Sequence, residues 1–337
     1  MLRDPPRRPA RLLSFVAAAA SLSGCYYVHL AAGQMEMNRR REPIAALTAD
    51  AATDETLRRR LAFAEQAREF AMTALGLPDN GSYRTYADLG RKYATWNLFA
   101  APEFSVRPRQ FCYPVAGCVA YRGYFDEKRA GRAAERLAKR GFDVHVGPSI
   151  AYSTLGHFRD PVLNTMLAYT DAELAALIFH ELAHQAVYAA SDSDFSEAFA
   201  TVVEQEGVRR FLAATGRDAE VGRFLERRDR ERLVAGLMVE ARARLAALYA
   251  DGAPPGRMRE EKAAEFERLR ASLAAQGAPP AGVLNNARLV AVSAYHRCVP
   301  ALTGELTRLS GDLPAFYAEM RRLAEDPALR RRLCPRA

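Results

Sequence analysis

The stretch from Asp171 to Gly207, DAELAALIFHELAHQAVYAASDSDFSEAFATVVEQEG, constrains this chain more than any other. At its centre stands His180-Glu181-Leu182-Ala183-His184. An α-helix turns once in about 3.6 residues, so side chains four apart leave from one face. Two imidazoles at that spacing can supply two corners of a tetrahedral zinc, and Glu181 can take a proton from water at the metal. A catalytic zinc needs a third protein ligand, which here has to come from a second helix packed against the first.

Glu197 is the candidate. It lies thirteen residues after His184, beyond the turn-like Ala190-Ser191-Asp192-Ser193-Asp194, a connection that suits two antiparallel helices. Phe195, Phe199 and Val203 make this face look inward, where an unpaired carboxylate would be costly. The competing reading is a helix-start Glu in a capping box, with Ser193 or Asp194 as the cap. Glu204 follows two turns later on the same face and can orient a ligating imidazole, whereas Glu206 points elsewhere and reads as solvated. Peptide hydrolysis also wants a donor for the oxyanion, and Tyr295 or His296, after the Pro279-Pro280 break, could supply it. His29, His145 and His157 have no partner at ligand spacing and read as non-ligands.

The first residues look like an export signal. Arg7, Arg8 and Arg11 form a basic region, and Leu12 to Ala20 (LLSFVAAAA) an apolar one too short to span a bilayer. Leu22-Ser23-Gly24-Cys25 follows and resembles the lipobox of bacterial lipoproteins. That resemblance implies cleavage before Cys25, acylation of its sulfur and a chain held at a membrane by its lipid. Tyr26, rather than Asp, follows the cysteine, which by the same resemblance permits transfer to the outer membrane, facing the periplasm. No later run is apolar and long enough for a transmembrane helix. Of the net charge of +8, Arg3, Arg7, Arg8 and Arg11 against Asp4 carry three units, and the remaining arginines are dispersed among acids. That is too little, and too dispersed, to argue for a nucleic-acid partner, and none is expected. Cys112, Cys118, Cys298 and Cys334 would face an oxidising compartment. Cys112 and Cys118 could close a small loop and Cys298 could join Cys334, but sequence leaves all three pairings open.

With 337 residues, 49% hydrophobic and 26% charged, the chain has the composition of a soluble globular protein. Beyond the signal, 1–24, it divides into an anchor and helical region (25–97), a core with a small sheet and the zinc helices (98–215) and a helical remainder (216–337). Tyr26 to Pro43 is polar and mixed. Ile44 to Leu77 has helical periodicity, Pro78 to Gly81 is a turn, and Tyr86 to Trp96 could start another helix. From Phe99 the character turns to strands, notably over Phe111 to Phe125. Glu127 to Arg140 reads as an amphipathic helix. Asp143 to Val146 and Ser149 to Thr154 read as two short strands, the second a candidate edge for holding extended peptide. Breaks at Ala253 to Gly256 and Gly277 to Pro280 flank an Arg/Glu-rich, solvated helix over 257–275. The expected class is α+β, mostly α, with a small sheet ahead of the zinc helix and a helical C-terminal half.

Taken together, the signal and Leu22 to Tyr27, the Cys112–Phe125 block, Ala151 to Gly156, Asp160 to Leu163, His180 to Gln185, Ser196 to Glu204 and Asn285 to Ala287 resemble a family of predicted bacterial aminopeptidases, zinc-dependent and often lipoproteins. The resemblance covers most of the mature chain. It implies a gluzincin-like, zincin-type fold, with His180, His184 and Glu197 as zinc ligands, Glu181 as base and peptides as substrates. Ser196 stands where the family's motif commonly has Asn. The Gly-x-Met-Glu-Asn motif of better-known zinc aminopeptidases has only a near miss here, Gly33-Gln34-Met35-Glu36-Met37-Asn38, with Met37 inserted and the anchor close by. Two other readings stay open: a zinc endopeptidase acting on envelope proteins, and a non-catalytic zincin-fold protein that binds envelope partners. Glu181 argues against the latter, because a structural metal needs no base.

Overall fold

The computed structural model describes residues 26–113, 117–154, 158–190, 192–293 and 298–334. Cys25 and the signal, His157, Tyr295 and His296 lie outside the described residues. Where the sequence reads as polar and mixed, residues 26–39 form a helix, α1, with Tyr26, Gly33 and Met37 turned inward. Gly33 permits a close crossing: a Cβ there would come within 2.1 Å of the Phe125 ring. After β1 (Arg41–Pro43) and α2 (Ile44–Ala49), α3 (Glu55–Thr73) starts at Asp54, whose carboxylate accepts from the Leu57 N–H at 2.9 Å. The helix expected over Tyr86–Trp96 does not form. Tyr86 and Ala87 are buried in a short strand, β2 (Thr85–Ala87), and Gly90 at φ +63° breaks the chain before the next one.

That next strand, β3 (Thr95–Pro102), is the centre of the main sheet. After the hairpin of β4 (Phe111–Tyr113) and β5 (Gly117–Val119), where Cys112 faces and is bridged to Cys118, comes β6 (Tyr121–Tyr124). It pairs antiparallel with one edge of β3. Alternation along β3 sends Leu98 and Ala100 against α4 (Glu127–Ala138), which answers with Ala130, Ala133, Ala134 and Leu137. The two strands expected at Asp143–Val146 and Ser149–Thr154 are instead one, β7 (Phe142–Ser149), paired along the other edge of β3 as far as Thr95 opposite Ser149. Residues 151–154 carry no strand. The Asp160 carboxylate takes their polar groups, accepting from the Thr154 N–H at 3.0 Å and its hydroxyl at 2.8 Å, so the candidate edge strand is not built. Just beyond, β8 (Val162–Leu163) joins β1 and β2 in a second small sheet, parallel to β2.

The rest is helical. α5 (Asp171–Ala186) and α6 (Ser193–Ala214) form an antiparallel pair and share the principal core with α3, while α7 (Asp218–Ala250) and α8 (Pro255–Ala275) make a second pair with their own core. α8 is an Arg/Glu surface outside, yet it buries Phe266, Leu269 and Leu273 against α7. α9 (Asn286–Ser293) covers the other face of the sheet, packing Ala287 and Val290 on Phe99 and Ala101. α10 (Val299–Arg308), α11 (Leu313–Glu325) and α12 (Pro327–Leu333) close the principal core, and a Cys298–Cys334 disulfide ties its last helices together. The class is α+β, mostly α, with small sheets. No helix among the described residues is long and apolar enough to cross a membrane.

Candidate metal centre

Helix α5 begins with a full capping box. The Thr170 hydroxyl accepts from the Glu173 N–H while the Glu173 carboxylate accepts from the Thr170 N–H at 2.9 Å. Its apolar positions from Leu174 to Ala183 are buried except Leu177, which lines the cleft, and His180 and His184 are on the side facing α6. The cap of α6 is Asp192, a residue earlier than Ser193 or Asp194. With that start the third helical residue is Phe195, so Glu197 takes no part in a capping box and its helix-start reading falls away. Ser196 fastens the turn between the two helices: its hydroxyl accepts from the Ala189 N–H and donates to the Asp192 carbonyl, both at 3.1 Å. Arg330, the buried residue of α12, donates to the Asp192 carboxylate at 3.0 Å. Farther along, Gly207 lets α6 press against α5 and the segment just after α3; a Cβ there would stand 2.8 Å from both Phe179 and Leu75. The helix pair is thus pinned on both sides of the two imidazoles.

His180, His184 and Glu197 come together and could hold a metal ion, with one candidate ligand atom from each within 4.8 Å of the others. Glu197 Oε2 lies 3.3 Å from His180 Nε2 and 3.7 Å from His184 Nε2. Ligand atoms about 2.0–2.1 Å from a shared tetrahedral ion would stand about 3.3–3.4 Å apart, so the spacing fits a small cation. Glu204, expected to orient an imidazole, accepts from His180 Nδ1 at 3.0 Å. Its other oxygen meets Arg228 Nη2 at 2.5 Å, and Arg228 reaches Glu231 at 2.6 Å with its second amino group. Burial opposes a charge on His180, but the carboxylates of Glu197 and Glu204 together outweigh it and hold the imidazole well above its ordinary pKa. Burial likewise opposes the charge on Glu197, and His184 and His180 more than compensate, holding it below the usual carboxylate range.

Glu181 faces the same open cleft, of about 510 Å³, as the three ligands. One wall is β6, with Tyr121 and Gly123; another is the 149–153 segment, with the Tyr152 ring tilted against Phe125 at 4.9 Å between centroids. Tyr188, just past α5, sets its ring edge-on to His184. Burial, then the charges of Glu197 and Glu181, pushes the Tyr121 phenol well above the ordinary tyrosine range, so it stays a proton donor at any physiological pH. Asp160, behind the 151–154 segment, is pushed up to about 6 by burial, against the hydrogen bonds from Thr154 and with the charge of Glu181 adding to the rise.

Tyr121, Tyr188, Asp160 and Arg228 escaped the sequence reading. Tyr121 stood in an aromatic block without a motif, and Arg228 in a helix crowded with arginines. Tyr295 and His296, the expected oxyanion donors, lie outside the described residues. Glu206 is not free in solvent: its carboxylate, largely covered, bonds Arg209 at 2.7 Å and Arg210 at 2.6 Å. The other described histidines stay away from the centre. His29 Nε2 accepts from the Phe125 N–H at 3.0 Å, and His145 stacks on Phe99 with its pKa lowered to about 4 by burial and then by Arg288. In the near-miss segment, Met37 is in the core and Glu36 is taken by Arg91 at 2.9 Å.

Residues 25–334 match the model of a family described as "Putative aminopeptidase". The chain belongs to that family. It matches no curated protein and no solved structure. Family membership supports a peptidase acting on peptide substrates, and the His180–His184–Glu197 group supplies it with a place for a metal ion.

Proposed function

We propose that this chain is a zinc metallopeptidase of the bacterial cell envelope, anchored through lipid on Cys25 and working as an aminopeptidase. The observation that carries the proposal is the convergence of His180, His184 and Glu197 in an open cleft that Glu181 also lines. Two imidazoles and a carboxylate are the donor set of a catalytic zinc with an open fourth position. Zinc bound there would supply Lewis acidity, polarising the scissile carbonyl and acidifying water. The chain's own groups do the rest. Glu181 takes the proton of the attacking water and returns it to the nitrogen of the leaving amine as the C–N bond breaks. The Tyr121 phenol, kept protonated, donates to the carbonyl oxygen as negative charge gathers on it. Glu204, itself held by Arg228, fixes the Nδ1–H tautomer of His180 and frees Nε2 for the ion. Two disulfides fit the oxidising compartment that such an envelope protein would occupy, with outer-membrane sorting as the accompanying proposal.

Endopeptidase action is the second reading, and one observation favours it. Among the described residues, the acidic side chains lining the cleft are Glu181, Glu197 and Glu204, each engaged with the ion, its ligands or the water. A substrate's free α-ammonium therefore meets no further carboxylate there. Purified protein tested on matched peptides with free and acetylated N-termini separates the two: an aminopeptidase cuts the free ones alone. Glu181→Gln should lower hydrolysis of either by about 10²–10⁴-fold while metal content stays unchanged. Undiminished hydrolysis in that variant would sink the catalytic assignment altogether.

A further inference from the structure

The principal core and the cleft use one face of α1 and leave the other uncovered. Tyr26, Gly33 and Met37 are turned in; Tyr27, Val28, Ala31, Ala32 and Met35 are exposed, Val28 at 69%, Met35 at 50% and Tyr27 at 45%. Val28, Ala32 and Met35 are spaced by four and three, which makes a single apolar stripe, and Arg39 continues it one turn on. An exposed apolar stripe on an otherwise packed helix is a candidate contact face.

What the helix adjoins along the chain says what that face contacts. Tyr26 is the residue after Cys25, so their Cα atoms are about 3.8 Å apart across one peptide unit. Tyr26 is also fixed to the body of the protein. Its hydroxyl donates to the Gly123 carbonyl at 3.0 Å, its ring packs on Tyr113 and Tyr124, and the Arg122 guanidinium lies over it at 3.6 Å. An acylated Cys25 would therefore be joined to a rigid helix without a linker. The stripe from Val28 to Met35 would lie within about 15 Å of the acyl chains, at 1.5 Å of rise per residue. A basic residue following apolar ones suits a helix lying at the headgroup–acyl boundary of an anionic membrane.

We propose that the outer face of α1 rests on the lipid bilayer. Tyr26 and Leu30 line the cleft from the inner side of the same helix, so the cleft then works at the membrane surface, on peptide that lies close to it. This rests on lipid anchoring at Cys25, and the test separates the two. Val28→Cys and Met35→Cys, with Val283→Cys as an exposed control away from α1 in sequence, are expressed as full-length lipoprotein. Thioether formation occupies the Cys25 sulfur and disulfides occupy the other four, so a fluorophore reports the introduced thiol. The labelled proteins are bound to phosphatidylethanolamine–phosphatidylglycerol vesicles carrying shallow nitroxide lipid. A helix seated roughly 5–10 Å into the boundary should lose at least about half its fluorescence at Val28→Cys and Met35→Cys, and little at Val283→Cys. Protein that floats with the vesicles, yet whose three labels are reached equally by iodide in water and equally spared by the nitroxide, overturns the proposal and leaves anchoring intact. Protein that fails to float overturns anchoring and the proposal with it. Disulfide cross-linking through Val28→Cys, with neither quencher effective, would assign the face to a second copy and overturn it as well.

Discussion

Glu204→Gln isolates the charge of the carboxylate behind His180. The amide oxygen can still accept from Nδ1, so geometry is kept while a charge-assisted hydrogen bond becomes a neutral one. Bonds to charged groups are worth about 1.5–3 kcal/mol and neutral ones about 0.5–1.5, so the change forfeits about 1–1.5 kcal/mol of orientation energy. At 1.4 kcal/mol per tenfold, zinc should bind about five- to tenfold more weakly. Glu204→Ala removes the bond outright, and the same arithmetic gives about 10- to 150-fold. Arg228 provides an internal control. In both variants it loses Glu204 but keeps Glu231 at 2.6 Å, so thermal unfolding of the metal-free protein should move far less than the affinity does.

Competition between the metal-free protein and a chromophoric zinc chelator measures the affinity. The pH dependence gives the ladder a second signature. The carboxylate that helps zinc also helps the proton on His180, whose pKa it raises, so in wild type the proton competes to higher pH. The gap between wild type and Glu204→Gln should accordingly be narrow at low pH and widen as pH rises. Equal affinities for all three proteins, or a gap that closes with rising pH, would refute the orienting role of Glu204.

Other predictions follow from the cleft wall and its support. Asp160 has its pKa raised to about 6, so its contribution to stability is full below the ordinary carboxyl value of 3.8 and lost as pH rises through 6. About two units at 1.36 kcal/mol each make Asp160→Asn up to about 3 kcal/mol more stable than wild type in urea at alkaline pH, with the advantage gone at acid pH; an advantage that grew on acidification would contradict it. Tyr121→Phe should lower kcat by about 10²–10³-fold, the range for losing one oxyanion donor, without changing zinc content. An unchanged kcat there would move the donor role elsewhere in the cleft.

Legibility in the sequence followed one physical line. Helical spacing converts sequence separation into a shared face, so His180 with His184 and Glu197 with Glu204 were readable as two pairs, and the short connection between the helices joined them into a set before any packing was known. Other features depend on partners far away in the chain. Arg228 is one of several arginines on α7, and only the packing of α7 beside α6 selects it for Glu204. The 149–154 segment has a strand's composition, but the carboxylate of Asp160 claims its polar groups. Helix α1 hid for a different reason. Its apolar residues lie on both faces, with a glycine where the body of the protein comes nearest, so little contrast marks a core side. The cysteines divide the same way: opposite positions on a hairpin pair Cys112 with Cys118, and the Cys298–Cys334 bridge waits on how α10 and α12 pack.

Charge explains how so polar a centre is kept inside a helix pair before an ion arrives. From the outside inward the side chains run Arg228, Glu204, His180 and Glu197, with contacts of 2.5, 3.0 and 3.3 Å. With His180 protonated, as its two carboxylates favour, the signs alternate and sum to zero. Each buried charge then has an opposite neighbour, and the desolvation cost is met by pairs of good geometry. The proton on His180 thus stands in for the metal, holding Nε2 and the Glu197 carboxylate together at nearly the spacing that two ligands of one ion would have. Zinc uptake has to displace that proton. Titration calorimetry in buffers of different ionisation enthalpy should count about one proton released per zinc near neutral pH. The count should fall toward zero as pH passes the raised pKa of His180, and a count of zero at neutral pH would mean that the imidazole is already free and that the alternating row does not hold the site.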